Sequence, residues 1–208
     1  MNVLSVLACV LAALAVGSEL RGRRRAFYVF KPLTVVFIVA LACVPKFPVT
    51  DFYRYAVVAG LVCSLAGDVF LMLPSDRFVQ GLVCFLAAHV CYSAAFVAGG
   101  ARVSYVWGVV PFAVYGGLMW AVLSPRLGKL KAPVAVYVLA ILLMGWLALS
   151  RWATAGQAGS GLALAGACLF VASDSALALE RFRGRFSGAQ LVVLTTYFAA
   201  QWLIALST

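Results

Sequence analysis

The sequence predicts an all-α fold, a polytopic membrane helical bundle with eight transmembrane helices, in a single integral membrane domain over residues 1–208. Three observations predict it. Hydrophobic residues make up 65% of the chain and charged residues 11%, with mean hydropathy +1.07, a composition unlike that of a soluble domain. The apolar residues gather in runs of about 17 to 23, each able to cross a bilayer core of about 30 Å. No run alternates as a barrel strand does, and lipid requires backbone polar groups to be satisfied within the segment, which favours helices.

Taken in order, helices are expected over residues 2–19, 27–45, 52–73, 78–99, 103–123, 133–151, 158–179 and 187–207. The first run has no cation before it and the basic cluster Arg21-Gly22-Arg23-Arg24-Arg25 after it, the reverse of a signal peptide. Pro45-Lys46-Phe47-Pro48 closes the second helix and Pro74-Ser75-Asp76-Arg77 the third. The later breaks fall at Gly99-Gly100, Ser124-Pro125, Gly156-Gln157 and Gly184-Arg185. Interleaved Gly and Ala, as at Gly60, Gly67 and Gly166, permit close helix packing. Trp107, Trp152 and Trp202 fall nearest helix ends, where an interfacial belt holds tryptophan.

The net charge of +10 implies no nucleic-acid partner, because the cations sit in short loops as topology signals. The odd loops carry Arg21, Arg23, Arg24, Arg25, Arg77, Arg126, Lys129, Lys131, Arg181, Arg183 and Arg185; the even loops carry Lys46, Arg54, Arg102 and Arg151. Eleven against four places the odd loops in the cytoplasm and both termini outside, in a bacterial cytoplasmic membrane. The six cysteines all lie in apolar runs without Cys-x-x-Cys spacing, so they are expected to be small buried hydrophobes rather than a disulfide framework.

Against this background Asp68 and Asp174 stand out. A carboxylate at mid-membrane costs roughly 2.5–3.5 kcal/mol on insertion scales, so an intramembrane ionisable residue points to function. A purely structural role returns little, since interhelical hydrogen bonds average about 0.6 kcal/mol. The topology puts Asp68 about five residues, or roughly 7–8 Å, from the cytoplasmic end of helix three, with Asp174 at the same level on helix seven. Two neighbouring carboxylates resist ionising together, so one is expected to remain protonated, giving an acid beside an anion.

Other polar residues outline a cavity open to the cytoplasmic leaflet. Lys31 lies about four residues inside helix two, placed to snorkel, to neutralise an aspartate or to hold a phosphate. Phe85, His89, Tyr92 and Phe96 share one face of helix four, an aromatic wall with two polar groups. Tyr197 and Gln201 are neighbours on helix eight, able to orient a water or a head group. One histidine with two aspartates is a thin metal set, so no metal and no cofactor is expected, although a metal-dependent membrane hydrolase is one alternative. A proton- or cation-coupled lipid or solute transporter is another. The sequence fixes no oligomeric state.

The halves also run parallel. Gly67-Asp68, Arg77-Phe78 and His89 are echoed by Ser173-Asp174, Arg185-Phe186 and Tyr197, and Lys31-Pro32 by Lys131-Ala132-Pro133, as in a parallel four-helix repeat.

Lys31-Pro32, Gly67-Asp68 with Leu71-Met72, Phe78-x-x-Gly81 leading to His89-x-x-Tyr92, Ser173-Asp174 with Leu177-Ala178, and Thr196-Tyr197 with Gln201 together resemble the YhhN-type lysoplasmalogenase family. The resemblance runs from helix two to helix eight. It implies an eight-helix membrane hydrolase that cleaves the vinyl ether of a lysophospholipid-type substrate to a fatty aldehyde and a glycerophospho-ethanolamine or -choline. It implies Asp68 and Asp174 as the catalytic pair, with membrane lipids as the other partners. Phe198 departs from the pattern, which leads us to expect a second tyrosine beside Tyr197.

Overall fold

A computed structural model describes residues 3–44, 46–184 and 186–208. Among them are eight long α-helices and no strand: α1 (Val3–Leu20), α2 (Arg24–Ala42), α3 (Asp51–Met72), α4 (Phe78–Ala98), α5 (Val109–Leu123), α6 (Lys131–Ala155), α7 (Ser160–Arg183) and α8 (Ala189–Leu206). All eight are long and apolar enough to cross a membrane. Pro45 and Arg185, expected in two of the breaks, lie outside the described residues.

The elements depart from expectation in four places. One is the end of α7, which runs on to Arg183 and so puts Asp174 farther from its helix end than Asp68 is from the end of α3. α2 begins at Arg24 because arginines tolerate a first turn from which they reach water. α5 begins at Val109, after a 3-10 turn at Val106–Gly108, because Pro111 lacks an N–H and fits only the first turn of a helix. α6 continues to Ala155 and stops where Gly156 takes a left-handed φ of 56°. Arg151 therefore belongs to no loop. It is fully buried within α6, donating from Nε to the Gly99 carbonyl at 3.1 Å and from a terminal nitrogen to the Tyr53 hydroxyl at 3.1 Å. Arg151 is thus not one of the loop cations that the sequence suggests.

Consecutive helices run antiparallel through short connections, and α1–α2, α3–α4 and α7–α8 are the tightest hairpins. Six helices close a ring in the order α2, α3, α4, α6, α7, α8, each packed on the next and α8 back on α2. α1 covers the α2–α8 seam from outside, and α5 lies on α6 and α7.

Side chains sort by face as a membrane bundle requires. On α4, Val83, Val90 and Val97 recur every seven residues on the exposed face, while Phe85, His89, Tyr92 and Phe96 point into the ring. Close approach is set by glycine: a Cβ at Gly67 would stand 2.7 Å from the Phe85 ring. The cysteines are not the buried hydrophobes expected. Cys9, Cys43 and Cys168 are exposed, because in lipid an apolar thiol gains nothing from facing the protein interior. Trp107 and Trp152 are exposed at helix ends, whereas Trp202 lines a groove between α1, α2 and α8.

Candidate functional site

Asp68 and Asp174 line one cavity. It holds about 240 Å³, lies between α2, α3, α7 and α8, and opens at the end of the bundle where the odd loops gather. Its mouth carries Glu19, Arg24, Tyr28 and Gln190; its depth carries Lys31, Asp68, Phe85, Asp174 and Tyr197.

The two carboxylates have different partners. Asp68, 1% exposed, has both oxygens engaged: Lys31 Nζ lies 2.8 Å from Oδ1, and the Tyr197 hydroxyl donates to Oδ2 at 2.6 Å. Lys31 is seven residues into α2, about 10 Å from its start, and is itself buried. It does not snorkel; it neutralises Asp68. Pro32, next in the chain, has no N–H, which leaves the Tyr28 carbonyl without its helical partner beside the cavity.

Asp174 is half-buried, and among the described residues no lysine or arginine pairs with it; its basic neighbour is His89. The Tyr137 hydroxyl donates to its Oδ2 in a short hydrogen bond, and His89 Nε2 lies 3.2 Å from the same oxygen and 3.0 Å from the Tyr137 hydroxyl. Oδ1 has no protein hydrogen bond among the described residues. His89 Nδ1 has none either, and a neutral ring carrying its hydrogen on Nε2 avoids burying an unpaired N–H. No hydrogen bond joins the two carboxylates directly.

Of the residues expected from the sequence, Lys31, Asp68, Asp174 and Tyr197 line the cavity, and His89 stands behind it against Asp174. Tyr92 and Gln201 do not reach the cavity. They lie a layer deeper, where the Tyr92 hydroxyl donates to Gln201 Oε1 at 2.7 Å with Ser64 at 3.5 Å, forming a polar floor beneath the site. Phe96 packs deeper still, against Tyr53. Two residues were not foreseen. Tyr137 binds Asp174, and Phe170 is the ring on which Phe85, His89, Tyr92 and Tyr197 all pack, with centroids 4.8–6.2 Å away. Phe170 sits four residues before Asp174, one turn along the same face.

The contacts follow the helix order twice. Asp68 of α3 meets Lys31 of α2 and Tyr197 of α8; Asp174 of α7 meets Tyr137 of α6 and His89 of α4. Tyr137 and Asp174 are 37 residues apart, as are Lys31 and Asp68. Tyr137 thus stands to Asp174 as Lys31 stands to Asp68 in spacing and contact. Lys131, the counterpart the sequence suggested, is exposed at the start of α6.

A second, apolar cavity meets the first at Asp174. It is a slot between α4, α5, α6 and α7, and the two cavities share Leu71, Phe85, Asp174 and Leu177. Among the described residues, no three His, Cys, Asp or Glu side chains cluster as metal ligands; His89 and Asp174 meet with a tyrosine as the third member.

A family model of the YhhN family matches residues 26–208, which covers the depth of this site and leaves out only Glu19 and Arg24 at its mouth. The chain belongs to the YhhN family. Within the YhhN family, the "Uncharacterized membrane protein YhhN" of Escherichia coli O157:H7 is 32% identical over 200 residues, spanning 96% of this chain and 95% of that one. The chain is 37% identical over 153 residues to "Lysoplasmalogenase TMEM86A" of Bos taurus, covering 71% of this chain and 62% of that protein. It is 35% identical over 179 residues to "Lysoplasmalogenase TMEM86B" of Sus scrofa, covering 79% and 72%. No solved structure matches. Phe198, the departure noted above, is buried against the α1–α2–α8 groove and not in the cavity.

Proposed function

We propose that this YhhN protein is a membrane hydrolase that cleaves the vinyl ether bond of a lysoplasmalogen, releasing a fatty aldehyde and a glycerophospho-ethanolamine or -choline. One observation carries the reading: two carboxylates face one cavity in opposite electrostatic settings, one locked to a lysine and the other with an oxygen free of protein partners. The TMEM86 relatives, named lysoplasmalogenases, support the substrate class.

A vinyl ether is hydrolysed by proton transfer to its β-carbon, in the slow step, followed by water addition. The parallel is glycoside hydrolysis, where one carboxyl is the acid and a second negative group steadies the oxocarbenium ion. Asp174 is the acid here. With the proton on Oδ1, its carbonyl Oδ2 accepts from Tyr137 and His89, and both bonds strengthen as the proton leaves and the carboxylate forms. The Asp174 proton goes to the β-carbon, and the alkene electron pair forms the new C–H bond. Positive charge spreads over the α-carbon and the ether oxygen, steadied by the Asp174 carboxylate. Water adds to the α-carbon and gives its proton to Asp174, restoring the acid. The hemiacetal then breaks its bond to the glycerol oxygen, which takes up the hydroxyl proton and leaves the aldehyde. Asp68, neutralised by Lys31 and capped by Tyr197, holds the wall of the site and presents Lys31 toward the phosphate. Arg24 and Glu19 at the mouth complement a phosphate and an ammonium group.

The charge pattern of the loops supports a cavity open to the cytoplasmic leaflet of a bacterial cytoplasmic membrane, with both termini outside. The test is aldehyde release from lysoplasmalogen by purified protein, with Asp174→Asn expected to abolish turnover and Asp68→Asn to reduce it. Full activity in both variants rejects the roles; proton flux without aldehyde would point to a transporter.

A further inference from the structure

Asp174 is the hinge point of two spaces of opposite character. On one side lies the polar cavity with Lys31, Arg24 and Glu19; on the other lies the slot walled by Phe78, Leu82, Met119, Val138, Ala178 and Phe182. A lysophospholipid has the same division, with its ether linkage at the boundary between a charged head and one hydrocarbon chain. We propose that the α4–α7 slot is the chain-binding site, and that the chain enters it sideways from the bilayer through the seam between α4 and α5. The inference rests on the vinyl ether reading above and adds to it where the chain goes and how it arrives.

Three features support the slot over other surfaces. It runs along α7 from Phe182 to Val171, eleven residues or about 16 Å, with Asp174 inside that length. Its outer wall is α5, which packs on α6 and α7 and scarcely on α4, so the α4–α5 seam faces lipid. The other apolar groove, between α1, α2 and α8, is lined by Ala12, Phe198 and Trp202 and includes neither carboxylate. A chain lying there would leave its ether bond away from the acid.

The slot is narrow as it stands. Its open space of about 60 Å³ has room for about two water-sized groups, so a full chain must push α5 outward. One side-chain bond ties α5 to α7, from the Tyr115 hydroxyl to Ser175 Oγ at 2.7 Å, and both residues line the slot. The Tyr115–Ser175 bond is thus the latch that a chain releases on entry, next to the acid at position 174.

The test uses the full chain in nanodiscs and an alkyl-ether lysophosphatidylcholine with a photoactivatable diazirine near the chain end. This probe carries no vinyl ether and is not cleaved, so the result stands even if the protein releases no aldehyde. Expected is labelling of the 115–123 and 134–142 segments, lost when excess unlabelled alkyl-ether lysophosphatidylcholine is added. Labelling of the groove around Ala12, Phe198 and Trp202, or labelling that excess lipid does not displace, overturns the proposal. With active protein, Ala178→Phe and Met119→Trp narrow the slot. The ratio of kcat/KM for long over short alkenyl chains should then fall about tenfold, the scale set by a methylene or two in a tight pocket. An unchanged ratio in both variants also overturns it.

Discussion

Replacing Lys31 by Met is the sharpest perturbation of this structure, because it strips a carboxylate of 1% exposure of the cation that pairs with it among the described residues. At the observed 2.8 Å the attraction is about 6 kcal/mol at an effective dielectric of about 20, and removal of the two charges from water offsets most of it. Truncating one partner alone leaves the other charge buried without compensation, a loss of about 3–5 kcal/mol. Lys31→Met should therefore lower stability by that amount, or force Asp68 to take up a proton and shed part of the loss. Lys31→Met combined with Asp68→Asn should recover most of it, because an amide still accepts from Tyr197 and carries no charge. The assay is a double-mutant cycle on denaturant unfolding in detergent, comparing the wild type, the two single variants and the double variant. A coupling energy within about 0.5 kcal/mol of zero, the range expected for independent sites, would refute the argument that these groups form a buried pair.

Three further outcomes follow from the same geometry. Tyr137→Phe removes a donor from Asp174 Oδ2 and should lower kcat about tenfold with little change in KM, since one hydrogen bond to a forming charge is worth about 1.5 kcal/mol or more; steady-state kinetics at saturating substrate reads the split. Arg151→Met orphans the Gly99 carbonyl at the even-loop end of the bundle and leaves the Tyr53 hydroxyl with Ser207 as its partner, and should destabilise the fold by about 1–3 kcal/mol while leaving KM unchanged, as thermal unfolding and kinetics on the folded fraction would report. Asp76 lies in the loop between α3 and α4, where the Arg181 guanidinium bonded to it holds its carboxyl below the ordinary value of 3.8 against an opposing desolvation. A depressed folded value means the link is complete above pH 3.8 and is lost as pH falls through the lower folded value. A carboxyl NMR titration assigned with Asp76→Asn should give a midpoint below 3.8 that rises toward it in high salt, and a midpoint at or above 3.8 contradicts the contact.

How far the sequence was readable depended on whether a residue was unusual for its surroundings. The eight helices were legible because each is a long apolar run between short polar breaks, and boundaries slipped where a local rule intervened, as at Pro111 and Gly156. Asp68, Asp174, Lys31 and His89 were legible because hydrocarbon makes any ionisable group conspicuous. Tyr137 and Phe170 were not, because aromatic residues are ordinary in a membrane helix and only tertiary packing brings them to Asp174 and to the ring cluster. The 37-residue spacing from Lys31 to Asp68, repeated from Tyr137 to Asp174, was the available signal; Lys131, with the matching charge and a nearby proline, drew attention from it. Arg151 misled for the opposite reason: a charge near a helix end looks like a loop residue until its buried partners are known.

The doubled arrangement also explains how a chemical difference can arise from near-equivalent positions. Two aspartates occupy corresponding places on α3 and α7, each approached by the preceding helix and by a helix from the other half. With identical partners the two would compete equally for protons, and neither would be assigned as acid. The partners differ at both positions: lysine against tyrosine from α2 and α6, tyrosine against histidine from α8 and α4. The lysine gives Asp68 a countercharge inside the bundle. The phenol and the imidazole give Asp174 hydrogen bonds in place of a lysine's charge, which is the setting the proposed acid role calls for. Exchanging the first partner should exchange the roles. In a Lys31→Tyr, Tyr137→Lys variant the acid function should move to Asp68, so that Asp68→Asn becomes the more damaging substitution. If Asp174→Asn remains the more damaging in that background, the first partner is not what separates the two carboxylates, and the difference must come from the apolar slot that only Asp174 touches.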